Sequence, residues 1–179
     1  MVSVIGGGHC LPPDQRVLTE DGYRPVSEVV PGDRLVTGQG RLCTLTQVQC
    51  FAVAEPLFHI ATVAEHVVRL TGDHLVLAHH GGGVGGWVPA RGLKPGDWVA
   101  VRGGGTLPRT PRVRPGSGPV ATLLEEPALY LSMRWVAVAT VDPAPYVGLV
   151  YDLSVAGDAS FISEGFVLGA RGGAESDRR

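Results

Sequence analysis

Apolar residues in this chain recur at every second position in short runs, and a glycine, a proline or an Asp-Gly pair closes each run. That alternation is the signature of half-buried strands, whereas the spacing of about three and a half residues that an amphipathic helix needs is nearly absent. Arg16 to Thr19 reads as a strand, and Asp21-Gly22 supplies the positive-φ residues of a tight hairpin. Further strands are expected at Arg34–Val36, 45–53, 57–62, 66–70, 74–78, Trp135–Val141 and Leu149–Val155, with a last hairpin at Phe161–Ile162 and Phe166–Leu168. Helix is confined to one turn near Val26–Val30, one near Ala90–Leu93 and a short segment at Leu123–Met133. The 26 glycines and 14 prolines make the many turns such a chain requires, and a 44% hydrophobic content is enough to fold rather than remain disordered. With 179 residues, one domain with a sizeable core is expected.

A repeat organises these strands. Val29-Val30-Pro31-Gly32-Asp33-Arg34-Leu35-Val36 is echoed 64 positions later by Leu93-Lys94-Pro95-Gly96-Asp97-Trp98-Val99-Ala100. One Pro-Gly-Asp turn is commonplace, but two in the same setting point to a duplicated β-unit and a pseudo-symmetric all-β fold. Residues 101–118, rich in glycine, arginine and proline, read as a flexible exposed loop, and the polar end of the chain as a loose tail.

Several function classes drop out. A net charge of −2 excludes a polybasic nucleic-acid binder. No apolar run approaches the ~20 residues of a membrane span, and the first residues lack the positive region of a signal peptide. Three cysteines (Cys10, Cys43, Cys50) are too few for a disulfide scaffold, and without a Cys-x-x-Cys pair a structural zinc site is not expected. Cys43 and Cys50 read as reduced strand thiols. The Gly6-Gly7-Gly8 and Gly103-Gly104-Gly105 runs carry no Lys-Ser/Thr and bind no nucleotide phosphate. Neither a cofactor nor a membrane or nucleic-acid partner is expected, and zinc caught between His9, Cys10 and His74 would block the thiolate.

Three places could carry chemistry. Cys10 follows a glycine run in a polar, proline-rich setting, so its pattern does not suggest burial. Thr71 and His74, three apart across Gly72-Asp73, can aim into one pocket. Asp152 interrupts the apolar strand Val150-Tyr151-Asp152-Leu153-Ser154-Val155. Singly, each has an ordinary explanation: a small buried hydrophobe, a solvated turn histidine, an outward strand position.

Together they resemble something. Cys10-Leu11-Pro12, Val17-Leu18-Thr19, Asp21-Gly22 and Val29-Val30-Pro31-Gly32-Asp33 resemble the opening of a Hint domain, the family of inteins, bacterial intein-like domains and Hedgehog autoprocessing domains. Leu70-Thr71-Gly72-Asp73-His74 is similar to its Thr-x-x-His motif, Trp87 to Ala90 with Leu93 to Asp97 to the strand that follows, and Val150 to Val155 with Ser160-Phe161-Ile162 and Gly165 to Leu168 to its closing motif. The resemblance implies an all-β pseudo-two-fold horseshoe over residues 10–170, with an upstream flank at 1–9 and a downstream tail at 171–179. It implies that Cys10 attacks the carbonyl of His9 and converts the His9–Cys10 amide to a thioester. His74 would protonate or distort the scissile amide, Thr71 would hold it, and Asp152 would assist proton transfer at sulfur, with Asp73 and Ala159 as possible supports.

The departures are equally informative. An intein closes on His-Asn followed by Cys, Ser or Thr, where this chain has Gly169, Ala170 and Arg171, and Ala159 stands where a histidine is often found. Alanine has no amide to cyclise and arginine cannot accept an acyl group, so full splicing is not expected. Only nine residues follow Ala170, too few for sterol recognition. The expected activity is N-terminal cleavage, or transfer to water or a small thiol or amine, by a monomer whose substrate is its own flanking chain. The alternatives are an intein disabled at its C-terminal junction to trap a precursor, and a silent Hint fold serving as a structural module.

Overall fold

The computed structural model describes residues 8–81, 84–102 and 133–172, without the side chains of 171 and 172. The expected loop at 101–118 (beyond Arg102), the helix at Leu123–Met133 (up to 132), the flank before Gly8 and the tail beyond Gly172 lie outside the described residues.

The repeat is real in three dimensions. Strand β2 (Arg16–Thr19) turns at Asp21-Gly22 into β3 (Gly22–Pro25), and a single 3₁₀ turn at Val26–Glu28 leads to β4 (Arg34–Val36) and the 13-residue β5 (Leu42–Ala54). In the second half β8 (Leu75–His79) pairs with β9 (Gly86–Pro89), a 3₁₀ turn at Ala90–Gly92 follows, and β10 (Trp98–Arg102) leads to the 12-residue β11 (Met133–Ala144). Both helical expectations thus shrink to three residues, because Pro31 and Pro95 shortly beyond force the chain to stay extended. Between them the two Pro-Gly-Asp turns dock alike. Asp33 Oδ2 accepts the Val30 N–H at 2.9 Å and Asp97 Oδ2 the Lys94 N–H at 3.0 Å. Gly32 N–H donates to Leu45 O in β5, and Gly96 N–H to Val138 O in β11.

The halves then exchange strands. After β5 the chain enters β6 (Leu57–Thr62), which pairs not with β5 but with β11, and continues to β7 (Val67–Thr71). After β11 it enters β12 (Val147–Val155), which pairs with β5. Strands β13 (Ser160–Ser163) and β14 (Phe166–Gly169) form the closing hairpin and join β2 to β8. Two short strands, β1 (Cys10–Leu11) and β15 (Arg171–Gly172), add to β12.

The result is one continuous, nearly closed horseshoe sheet running β1-β12-β5-β4-β2-β13-β14-β8-β10-β11-β6-β7. Its inner face is packed with apolar side chains, Leu11, Leu35, Ile60, Leu153, Phe161 and Phe166 among them. The first and last strands of this path, β1 and β7, meet side by side. That seam is where Cys10 faces Thr71.

Candidate functional site

Residues 71–74 make the turn between β7 and β8, closed by the His74 N–H on Thr71 O at 3.0 Å. The second 3₁₀ turn clamps it from outside. Arg91 N–H donates to Gly72 O at 3.0 Å, Ala90 N–H to His74 O at 2.9 Å, and the Arg91 guanidinium pairs with Asp73 at 2.5 Å. A Cβ on residue 72 would stand 2.8 Å from the Phe58 ring and 3.2 Å from the Arg91 guanidinium, so a larger residue would push these side chains aside. Asp73 therefore holds the outside of the turn while Thr71 and His74 face inward.

Cys10 lies opposite Asp152 in the antiparallel β1–β12 register. Sequence patterning did not suggest burial for Cys10, but the thiol is buried, because β1 is sandwiched between β12 and β7 with Leu57 and Val150 against it. Asp152 is buried too, not outward, since its strand is covered on both faces at this end. His74 has no solvent-accessible surface and is not the solvated turn residue it resembles in isolation.

One hydroxyl organises the chain around the His9–Cys10 bond. Thr71 Oγ1 accepts the Cys10 N–H at 3.1 Å and donates to Gly8 O at 2.6 Å, closing residues 8–10 into a tight turn around His9. The Cys10 sulfur is folded back over that turn, so that a Cβ built on Gly8 would lie 2.6 Å from it.

His74 bridges the two ends of the chain. Its Nδ1 lies 3.4 Å from Cys10 O and its Nε2 3.1 Å from Gly169 O. Both neighbours are acceptors, so a neutral ring donates to one and turns a lone pair on the other. The shorter contact favours the tautomer protonated at Nε2, whose Nδ1 lone pair faces the Cys10 side. Burial, followed by the nearby His9, lowers the His74 pKa from 6.5 to about 4, against the two backbone hydrogen bonds that raise it. Its walls are the His9 ring at 5.7 Å and the Phe161 ring at 5.9 Å, both edge-on.

The junction residues come to the same place. Gly169 pairs with Ser160 and reaches His74 through its carbonyl. Ala170 N–H donates to Ala159 O at 2.8 Å, with Ala159 held at φ 48°, and Arg171 is in register with Ser154 on β12. Sequence reasoning missed Gly8, the Gly169 carbonyl and the Phe161 wall. Only Gly8 had a signal, the glycine run before a candidate nucleophile. Among the described residues no three His, Cys, Asp or Glu side chains converge to hold a metal ion.

No protein-family model matches the chain, and no curated protein sequence does. Solved structures do. A PabCDC21-1 intein superposes with a TM-score of 0.68 at 16% identity, covering 92% of this chain and 99% of that one. A DnaB intein from Synechocystis gives 0.65 at 12% identity (90% and 97% covered), and the gp41-1 intein 0.61 at 14% (89% and 97%). The chain has the intein-type Hint fold, spanning nearly the whole of each of these structures.

Proposed function

We propose that this chain, built on an intein-type fold, is a self-processing domain that converts the His9–Cys10 amide into a thioester and releases or transfers the upstream segment. In this reading residues 10–170 are the processing domain, 1–9 its upstream substrate and 171–179 a downstream flank. The observation that carries it is the Thr71 hydroxyl, which holds Gly8 O and Cys10 N–H together beside a sulfur packed against Gly8.

The chemistry balances within the site. The Cys10 thiol loses its proton, Sγ bonds to the His9 carbonyl carbon, and the C–N bond breaks. The departing Cys10 nitrogen takes a proton, so amide plus thiol becomes thioester plus amine with no net proton exchange. Neutral His74, with the lone pair of Nδ1 on the Cys10 side, carries that proton, and buried Asp152 across the β1–β12 register assists at the sulfur. Thr71 contributes position: its hydroxyl fixes the scissile nitrogen and limits rotation about the bond. Water or a small thiol or amine then takes the acyl group. Gly169, Ala170 and Arg171 offer neither a cyclising amide nor an acceptor, so the second half of splicing does not follow.

Fusing a globular tag ahead of Met1 and following intact mass for a day at pH 7 to 8, with and without dithiothreitol or hydroxylamine, tests this. Thiol-accelerated loss of everything through His9, abolished in Cys10→Ala, is expected. An unchanged mass in all conditions would overturn the reading and leave a silent Hint fold.

A further inference from the structure

Two residues before Cys10, the space beside the Gly8 backbone is taken by the Cys10 sulfur. An L-Cβ on Gly8 would stand 2.6 Å from Cys10 Sγ, far inside the ~3.5–4.0 Å at which non-bonded heavy atoms attract. A Cβ is fixed by its backbone, and the residue 8 backbone is itself fixed, because Gly8 O accepts the Thr71 hydroxyl at 2.6 Å. The same hydroxyl receives the Cys10 N–H at 3.1 Å. Residue 8 therefore cannot retreat without releasing the hydroxyl that sets the scissile nitrogen. With β1 packed between β12 and β7, the remaining freedom is the sulfur's own torsion, and any side chain at residue 8 would turn Sγ out of its place beside Gly8.

We propose that Gly8 is a specificity-determining residue: the domain selects upstream sequences with glycine two positions before its nucleophile, because only glycine leaves Cys10 Sγ the place it occupies beside residue 8. This rests on the reading of Cys10 as the attacking thiol. It adds a requirement on the host sequence that acts by exclusion, not by a new attractive contact. A displacement of about 1 Å at a reacting atom costs on the order of 10²-fold in rate, which sets the scale.

Synthetic segments 1–9 carrying Gly8, Gly8→Ala or Gly8→D-Ala, made as C-terminal thioesters, can be ligated in denaturant to residues 10–179 and refolded to the full chain. Circular dichroism and melting confirm refolding, and dithiothreitol-driven cleavage is read by intact mass. Gly8→Ala is expected to cleave 10- to 100-fold more slowly than the parent, while Gly8→D-Ala, whose methyl takes the place of the other α-hydrogen, stays within about threefold. Equal rates for the parent and Gly8→Ala, or equal slowing by both alanines, would overturn this proposal alone. A refolded Gly8 parent that stays intact would overturn the self-processing reading with it.

Discussion

His74 is an imidazole without solvent contact, flanked by two carbonyl oxygens and two ring edges, and its acidity follows from that enclosure. Its pKa falls from 6.5 to about 4, so the unfolded chain takes up a proton between those values that the folded chain refuses. Stability is then full above pH 6.5 and lost as pH falls toward 4, by about 3 kcal/mol in all. Urea midpoints across pH 4 to 8 should show this fall, and His74→Gln should flatten it. In the tagged chain His74→Ala should slow cleavage by about 10²–10⁴-fold, the usual worth of general acid–base assistance. Thr71→Ala strands the buried Cys10 N–H and Gly8 O together, a loss of about 1–3 kcal/mol in urea unfolding. It should also slow cleavage, since this one hydroxyl holds both ends of the turn around His9.

At the scale of elements, the two Pro-Gly-Asp turns make a symmetric prediction. Gly32 sits at φ 101° and Gly96 at φ 91°, and neither has any atom within 4 Å of a would-be Cβ. Each is the third residue of a Pro-Gly turn closed by an Asp N–H on the residue three before, Val30 O in one case and Lys94 O in the other, both at 3.1 Å. Alanine at either position meets backbone strain and no clash, so Gly32→Ala and Gly96→Ala should each cost about 1–2 kcal/mol and differ little. Thermal or urea unfolding measures both, and a large difference would mean the halves are not mechanically equivalent. The repeat and these turns were legible in the sequence because local turn chemistry is written in adjacent residues. Strand boundaries were less so: β5 runs from Leu42 to Ala54 where 45–53 was expected, since pairing with β4 extends its start to Leu42 and pairing with β12 its end to Ala54.

Across the whole molecule, the sheet's closure makes the site. The exchange of β6 and β12 between the halves carries β7 and β1 around to a common seam, and the core beneath is shared with the site through Phe161. Phe161→Ala should therefore cost about 3–5 kcal/mol as a buried truncation. The milder Phe161→Leu, if folded, should admit water to the ring and move the His74 pKa from about 4 back toward 6.5, which histidine proton chemical shifts would register. The sequence by itself determined an all-β chain with a duplicated unit, because period-2 patterning and turn residues are local signals, and its resemblance to Hint motifs put Cys10, Thr71, His74 and Asp152 forward as a set. Tertiary structure alone decided that Cys10 and Asp152 are buried, that the Gly169 carbonyl meets His74, and that a Cβ on Gly8 would meet the Cys10 sulfur. Each of those depends on strands far apart in sequence meeting edge to edge, and no local pattern encodes what the opposite edge will bring.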